Sequence, residues 1–161
     1  MIVRRLLAAS ILLVALAAPA ATVILVRHAE KAGPTGDVPL TEAGRKRADR
    51  LADVLSSAGV TAIYTSEYRR TAETAAPIAK ALGLMPKVLP AADLDTLIRE
   101  LKTAASDDVI LVVTHSDRLP LISAKLGADQ TPVLETEFSR LVILRVEPMR
   151  TTQLTLRYGD K

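Results

Sequence analysis

Strand-length runs of purely apolar residues recur along this 161-residue chain, and they restrict its possible folds more than any other feature. The clearest are residues 23–26 and 109–113, which contain only Val, Ile and Leu. Such runs are typical of parallel strands that are buried on both faces. Further strands are predicted at 60–65, 87–89, 140–146 and 153–157, and helices at 42–57, 67–82, 94–104 and 119–126. Because strands and helices alternate, we predict a three-layer α/β domain with a mostly parallel sheet flanked by helices.

Individual residues mark the ends of the predicted helices. Thr41 and Ser66 have hydroxyls that suit a helix N-cap, and each is predicted to begin the helix that follows it. Gly59 and Gly83 are predicted to end those two helices. Pro77 is expected to kink or divide the second helix, because proline lacks the N–H that the helix interior requires.

The first twenty residues have the pattern of a secretory signal peptide. Two arginines precede an apolar stretch at 6–17, and Ala-Pro-Ala follows at 18–20, where signal peptidase requires small residues. We therefore predict a signal peptide at 1–20, cleavage near Ala20, and a periplasmic or secreted domain at 21–161. An uncleaved membrane anchor is the alternative, although an apolar stretch this short spans a bilayer poorly.

Charge and composition exclude some classes of partner. The chain has 21 Lys and Arg against 18 Asp and Glu, and two of the basic residues lie in the predicted signal peptide. The remaining domain is thus nearly neutral, which argues against nucleic-acid binding. The sequence contains no cysteine, so an exported domain must be stabilised by packing and not by disulfides.

The two histidines of the chain, His28 and His115, occupy equivalent places. Each comes at the end of an apolar strand, after residues 23–27 and 109–114 respectively. Ligand sites in open α/β sheets lie outside the carboxyl ends of the strands. We therefore expect both rings at the same rim of the sheet. Ordinary loop or core histidines are the alternative.

Arginines accompany the histidines. Arg27 directly precedes His28, while Arg69 and Arg70 fall in the first turn of the second predicted helix. The helix dipole disfavours cations at that end, and a bound anion would remove the conflict. Guanidinium groups match the oxygens of a phosphate. The alternative is that Arg69 and Arg70 are solvated surface charges.

Four segments, in order, resemble the motifs of the histidine phosphatase superfamily, the phosphoglycerate-mutase-like group. They are VILVRHAE at 23–30, PLTEAG at 39–44, YTS at 64–66 with RTAETA at 70–75, and VVTHS at 112–116. The resemblance implies a phosphoglycerate-mutase-like fold and a phosphomonoesterase that needs no metal or other cofactor. It also implies that His28 is the nucleophile and forms a phosphohistidine. Arg27, Arg70 and His115 would then hold the phosphate oxygens.

The proton donor to the leaving group is not evident from the motifs. One branch of the family has an aspartate directly after the second histidine, where this chain has Ser116 and then Asp117. We expect Asp117 to supply the proton, or failing that Glu30. The short region at 83–108 offers little material for a lid, which favours hydrolysis over mutase activity.

Three other functions remain open at this point. A non-catalytic phosphate-binding module would keep the pocket without turnover. A metal-dependent hydrolase would use His28, Glu30, His115 and Asp117 as ligands. A serine hydrolase would use Ser66 with His115 and Asp117, although no G-x-S-x-G motif is present. The substrate class is also open among phosphorylated small molecules, envelope glycolipids and phosphoproteins.

Overall fold

In the computed structural model, which describes residues 20–159, a six-stranded sheet lies between two pairs of helices. The strands are β1 (Ala21–Arg27), β2 (Ala62–Thr65), β3 (Lys87–Val88), β4 (Val109–Thr114), β5 (Arg140–Val146) and β6 (Thr151–Arg157). The helices are α1 (Glu42–Leu55), α2 (Arg69–Leu82), α3 (Leu94–Lys102) and α4 (Arg118–Lys125). Residues 1–19, almost the whole predicted signal peptide, lie outside the described part of the chain.

The strand order is β3-β2-β4-β1-β5-β6. Strands β1 to β4 pair in parallel, whereas β5 pairs antiparallel with both β1 and β6. Four residues separate β5 from β6, and so short a connection permits only an antiparallel hairpin. The predicted α/β class and the mostly parallel sheet are confirmed.

Burial of both faces of β1 explains why its sequence does not alternate between apolar and polar residues. Ile24 and Val26 pack into the core beneath α1 and α2, while Val23 and Leu25 pack beneath α3 and α4. Successive side chains of a strand point to opposite faces, so a strand between two helical layers needs apolar residues throughout. This double burial fixes β1 at the centre of the sheet, and its carboxyl end carries His28. No helix within residues 20–159 has the length and apolarity needed to cross a membrane.

The start of α2 differs from the prediction. The helix begins at Arg69, after an N-cap at Tyr68 that provides no side-chain hydrogen bond. The predicted cap, Ser66, is instead hydrogen-bonded to Thr71 and His115. Pro77 does not divide the helix, which is continuous to Leu82. Its buried face packs into the core and outweighs the loss of one backbone hydrogen bond.

The start of α1 is confirmed and lies very close to the end of β1. Thr41 accepts a hydrogen bond from the Gly44 amide at 3.0 Å, and its own amide donates to the Glu30 carbonyl at 2.8 Å. A Cβ atom on Gly44 would lie 2.3 Å from that same carbonyl oxygen. Only glycine allows this approach.

Gly44→Ala is therefore expected to lower the free energy of unfolding by about 1–3 kcal/mol, because the backbone of residue 30 must move. Urea unfolding measures the change. Asp49→Ala, on the exposed face of α1, is the control and should stay within about 0.5 kcal/mol of the parent. Equal midpoints for the two variants would contradict the close approach.

Candidate active site

The register of β1 and β4 brings the two histidines together. Arg27 is the register partner of Thr114, and the His28 amide donates to the Thr114 carbonyl at 2.8 Å. His28 and His115 therefore follow matched positions on neighbouring parallel strands. Their ring centroids are 5.4 Å apart and the rings are inclined at 64°. A cavity of about 280 Å³ opens here, and its lining includes Arg27, His28, Lys31, Tyr68, Arg70, His115, Ser116, Asp117 and Glu135.

His28 is held in one tautomer. Its Nδ1 lies 2.8 Å from the Ala29 carbonyl oxygen, which can only accept, so Nδ1 carries the hydrogen. In the neutral ring the lone pair is then on Nε2. Burial lowers the pKa of His28 to about 4, and the electrostatic interactions with His115, Arg27 and Arg70 act in the same direction. The ring is therefore neutral at pH 7 and able to act as a nucleophile.

His115 has a similar electrostatic environment. Burial and the nearby Arg70 lower its pKa to about 4. Its Nε2 lies 3.0 Å from the Ser66 hydroxyl, which lies 2.9 Å from the Thr71 hydroxyl. The Tyr68 ring meets the His115 ring edge-on, with centroids 5.4 Å apart. These contacts fix the orientation of the second imidazole. No sequence pattern predicted them beyond the polar character of the residues.

Arg27 is anchored by the segment that precedes β5. Its guanidinium carbon lies 4.1 Å from the centre of the Phe138 ring. One terminal nitrogen donates to the carbonyls of Leu134 and Glu135, at 3.0 and 2.6 Å. The other donates to the Glu135 carboxylate at 2.8 Å. The Nε–H group is buried and has no partner within the described residues.

The two consecutive arginines at the start of α2 have different surroundings. Arg70 lines the cavity, stacks on Tyr68 at 4.1 Å, and has a buried Nε–H without a partner among the described residues. Arg69 points away and forms an ion pair with Glu73, with Nε 2.5 Å from the carboxylate. Only the second arginine therefore belongs to the candidate site.

The two carboxylates named from the sequence lie in different places. Asp117 lines the cavity, is largely exposed, and pairs with Arg118 at 3.4 Å. Glu30 does not reach the cavity, because both of its oxygens accept from Arg47 Nε, at 2.9 and 3.0 Å. No group of three or more His, Asp or Glu side chains in residues 20–159 is arranged to hold a metal ion.

Glu135 is a cavity residue that sequence reasoning missed. It lies in the connection between α4 and β5, beyond the last recognised motif, where no local pattern distinguishes it from other surface acids. One carboxylate oxygen accepts from Arg27, and the other accepts from the Ser116 hydroxyl. The Glu135 carboxylate therefore contacts both Arg27 and Ser116, the residue next to His115.

Comparison with known families agrees with this geometry. Residues 23–93 match the model described as "Histidine phosphatase superfamily (branch 1)". The matched segment contains Arg27, His28 and Arg70. Over this segment the chain resembles the histidine phosphatase superfamily. No curated protein sequence matches it significantly.

Solved structures of histidine phosphatases share the fold. The α-ribazole phosphatase of Shigella flexneri superposes with a TM-score of 0.71 at 17% identity, covering 87% of this chain and 99% of that one. A mycobacterial glucosyl-3-phosphoglycerate phosphatase, solved with inorganic phosphate, gives 0.58 at 19%, covering 77% and 89%. A Nakamurella multipartitia protein provisionally described as phosphohistidine phosphatase SixA gives 0.61 at 20%, covering 88% and 98%. The chain therefore shares the fold of these proteins.

Proposed function

We propose that this chain is a histidine phosphatase, and that it hydrolyses phosphoric monoesters through a phosphohistidine intermediate on His28. The observation that carries the proposal is a neutral His28 whose Nε2 lone pair is fixed, next to His115, Arg27 and Arg70 in one cavity. Attack by a positioned nitrogen divides one difficult displacement into two easier ones.

Two unpartnered donors support the binding of a phosphoryl group. The Nε–H groups of Arg27 and Arg70 are both buried and unpaired among the described residues. A buried donor without an acceptor costs about 1–3 kcal/mol, and phosphate oxygens would satisfy both. Guanidinium donors can stabilise the negative charge that is delocalised over the phosphoryl oxygens in the transition state, without a metal ion. His115 completes the group that would hold the phosphate oxygens.

Hydrolysis of a chromogenic phosphomonoester by the domain 21–161 tests the proposal. We expect turnover that persists in excess chelator, because the positive charge comes from side chains. Activity lost on chelation and restored by a divalent cation would favour the metal-dependent hydrolase. Saturable binding of inorganic phosphate without any turnover would identify a phosphate-binding module. Phosphorylated small molecules, envelope glycolipids and phosphoproteins should then be compared as substrates.

The buried histidines should make stability depend on pH. Both have a folded pKa of about 4 and an ordinary value of 6.5, so between these values the unfolded state binds more protons. Stability is therefore fully present above pH 6.5 and is lost as the pH falls toward 4. We expect a loss on the order of 2–3 kcal/mol per ring without phosphate.

Urea unfolding between pH 7.5 and 4.5 (roughly the range over which free imidazole becomes charged) measures this loss. His28→Asn removes one of the two titrating rings and should reduce the slope by about half. A slope unchanged by the substitution would show that the pKa of His28 is the same in the folded and unfolded states.

We further propose that the chain is exported and that residues 1–20 are its signal peptide. Strand β1 begins at Ala21, which pairs with Val146, so cleavage after Ala20 would leave the whole sheet intact. N-terminal sequencing of the protein from the cell envelope tests this. An intact Met1 would favour the uncleaved anchor.

A further inference from the structure

Glu135 stands at the open side of the cavity, opposite the proposed nucleophile. The His28 residue is 4% exposed, whereas the Glu135 side chain is 79% exposed. Both nevertheless line the same cavity. The histidine thus forms part of its floor, and the glutamate forms part of its mouth.

In-line displacement relates these two positions. A phosphorus atom attacked by His28 from the floor expels its leaving oxygen in the opposite direction, toward solvent. The rest of the substrate must also lie on the solvent side of the cavity, because the buried rings of His28 and His115 close its inner side. A group that protonates the leaving oxygen must therefore come from the mouth.

Glu135 is better oriented for this task than the other carboxylate at the mouth. Its two oxygens are held separately, one by Arg27 and one by Ser116. The Asp117 carboxylate has only the longer contact to the neighbouring Arg118, at 3.4 Å, among its ion pairs in the described residues. Positioning is the larger part of proton-transfer efficiency, so the doubly held group has the advantage.

We propose that Glu135 is the residue that donates a proton to the leaving oxygen. The inference rests on the proposed phosphatase function. The substrate phosphate would replace the Glu135 carboxylate on Arg27, and the hydrogen bond from Ser116 would still hold the carboxyl group at the mouth. The residue lies beyond the segment that matches the superfamily model, so this donor is specific to the C-terminal part of the chain.

The protons and electrons balance across both steps. The hydrogen bond from Ser116 and the charge of Arg27 hold the pKa of the free Glu135 carboxyl below its ordinary value. The proton therefore comes from the monoanionic ester. It passes to Glu135 when the substrate phosphate replaces the Glu135 carboxylate on Arg27. Nε2 of His28 then bonds to phosphorus, the P–O ester bond breaks, and Glu135 protonates the departing alkoxide. In the second step water bonds to phosphorus, Glu135 takes the water's proton, and the P–N electron pair returns to His28.

The test compares leaving groups that differ in their need for a proton. The leaving group of glycerol 3-phosphate is an alkoxide, which needs a proton from an acid. The leaving group of 2,4-dinitrophenyl phosphate is a stable phenolate, which does not. We expect Glu135→Gln to lower kcat/KM about 10²–10⁴-fold for glycerol 3-phosphate and less than roughly 3-fold for the dinitrophenyl ester. Asp117→Asn tests the competing carboxylate. Glu42→Gln, at an exposed carboxylate on α1 outside the cavity, is the matched control and should change neither value more than roughly 3-fold. Glu135 is exposed, so the amide variant retains the fold.

Each other outcome has a distinct meaning. Equal losses on both esters in Glu135→Gln would show that the residue only supports Arg27, and would overturn the assignment. No loss on either ester would overturn it as well, and a selective loss in Asp117→Asn would transfer the role to that residue. A parent protein inactive on both esters would refute the proposed function itself.

Discussion

Phosphomonoesterase activity is expected to disappear when His28 is replaced by alanine or asparagine, with a loss of about 10⁴-fold or more in kcat. The asparagine variant is the more informative one. Its amide N–H can replace the Nδ1–H donor that contacts the Ala29 carbonyl at 2.8 Å, whereas nothing replaces Nε2. The lost group is therefore the nucleophile alone, and the local hydrogen bond is retained.

Two measurements check this expectation. Steady-state hydrolysis gives the loss of rate, and acid-labile, alkali-stable labelling by a radiolabelled phosphomonoester detects the phosphohistidine directly. The parent and a Ser66→Ala variant should become labelled, while both His28 variants should not. Persistent turnover in His28→Asn would refute the nucleophile assignment, as would label at another residue.

Arg70→Lys is expected to lower kcat/KM about 10²–10³-fold, although the positive charge is kept. Lysine lacks the planar fork, and it cannot replace the buried Nε–H, which has no partner among the described residues. The stacking of the guanidinium on Tyr68 at 4.1 Å would also be lost. A point charge on a flexible chain therefore positions phosphate less well than arginine does.

The neighbouring arginine provides a matched control. Arg69 precedes Arg70 in the same helical turn but pairs with Glu73 outside the cavity. Arg69→Lys should change kcat/KM less than about 3-fold, and it should retain the affinity of the parent for inorganic phosphate. Similar losses in both variants would mean that the general positive field near α2 matters more than contact with Arg70.

Much of the architecture could be predicted because it follows from local patterns. The doubly buried strands β1 and β4 required uninterrupted apolar residues, and those runs identified both strands and, with the helices between them, the α/β class. The position of Thr41 as a cap was also predictable, since capping depends on residues only three apart.

Predictions that depended on side-chain partners were less successful. Ser66 was expected to cap α2, yet its hydroxyl contacts His115, a residue 49 positions later. Glu30 has the right chemistry for a cavity acid, but Arg47 holds it elsewhere. In both cases the side chain binds a partner from another part of the chain and does not take the role predicted from its neighbours. No local sequence pattern predicts such a partner.

The amino-acid sequence by itself determined the elements of the fold and the placement of an imidazole after each of two central strands. Strand periodicity and chain direction are local properties, and they bring His28 and His115 to one rim of the sheet. The tertiary structure alone decided which charged groups surround them. Glu135 reaches Arg27 across 108 positions only because the segment before β5 folds back over the end of β1. Such a contact depends on how the whole chain packs, so no local pattern could reveal it.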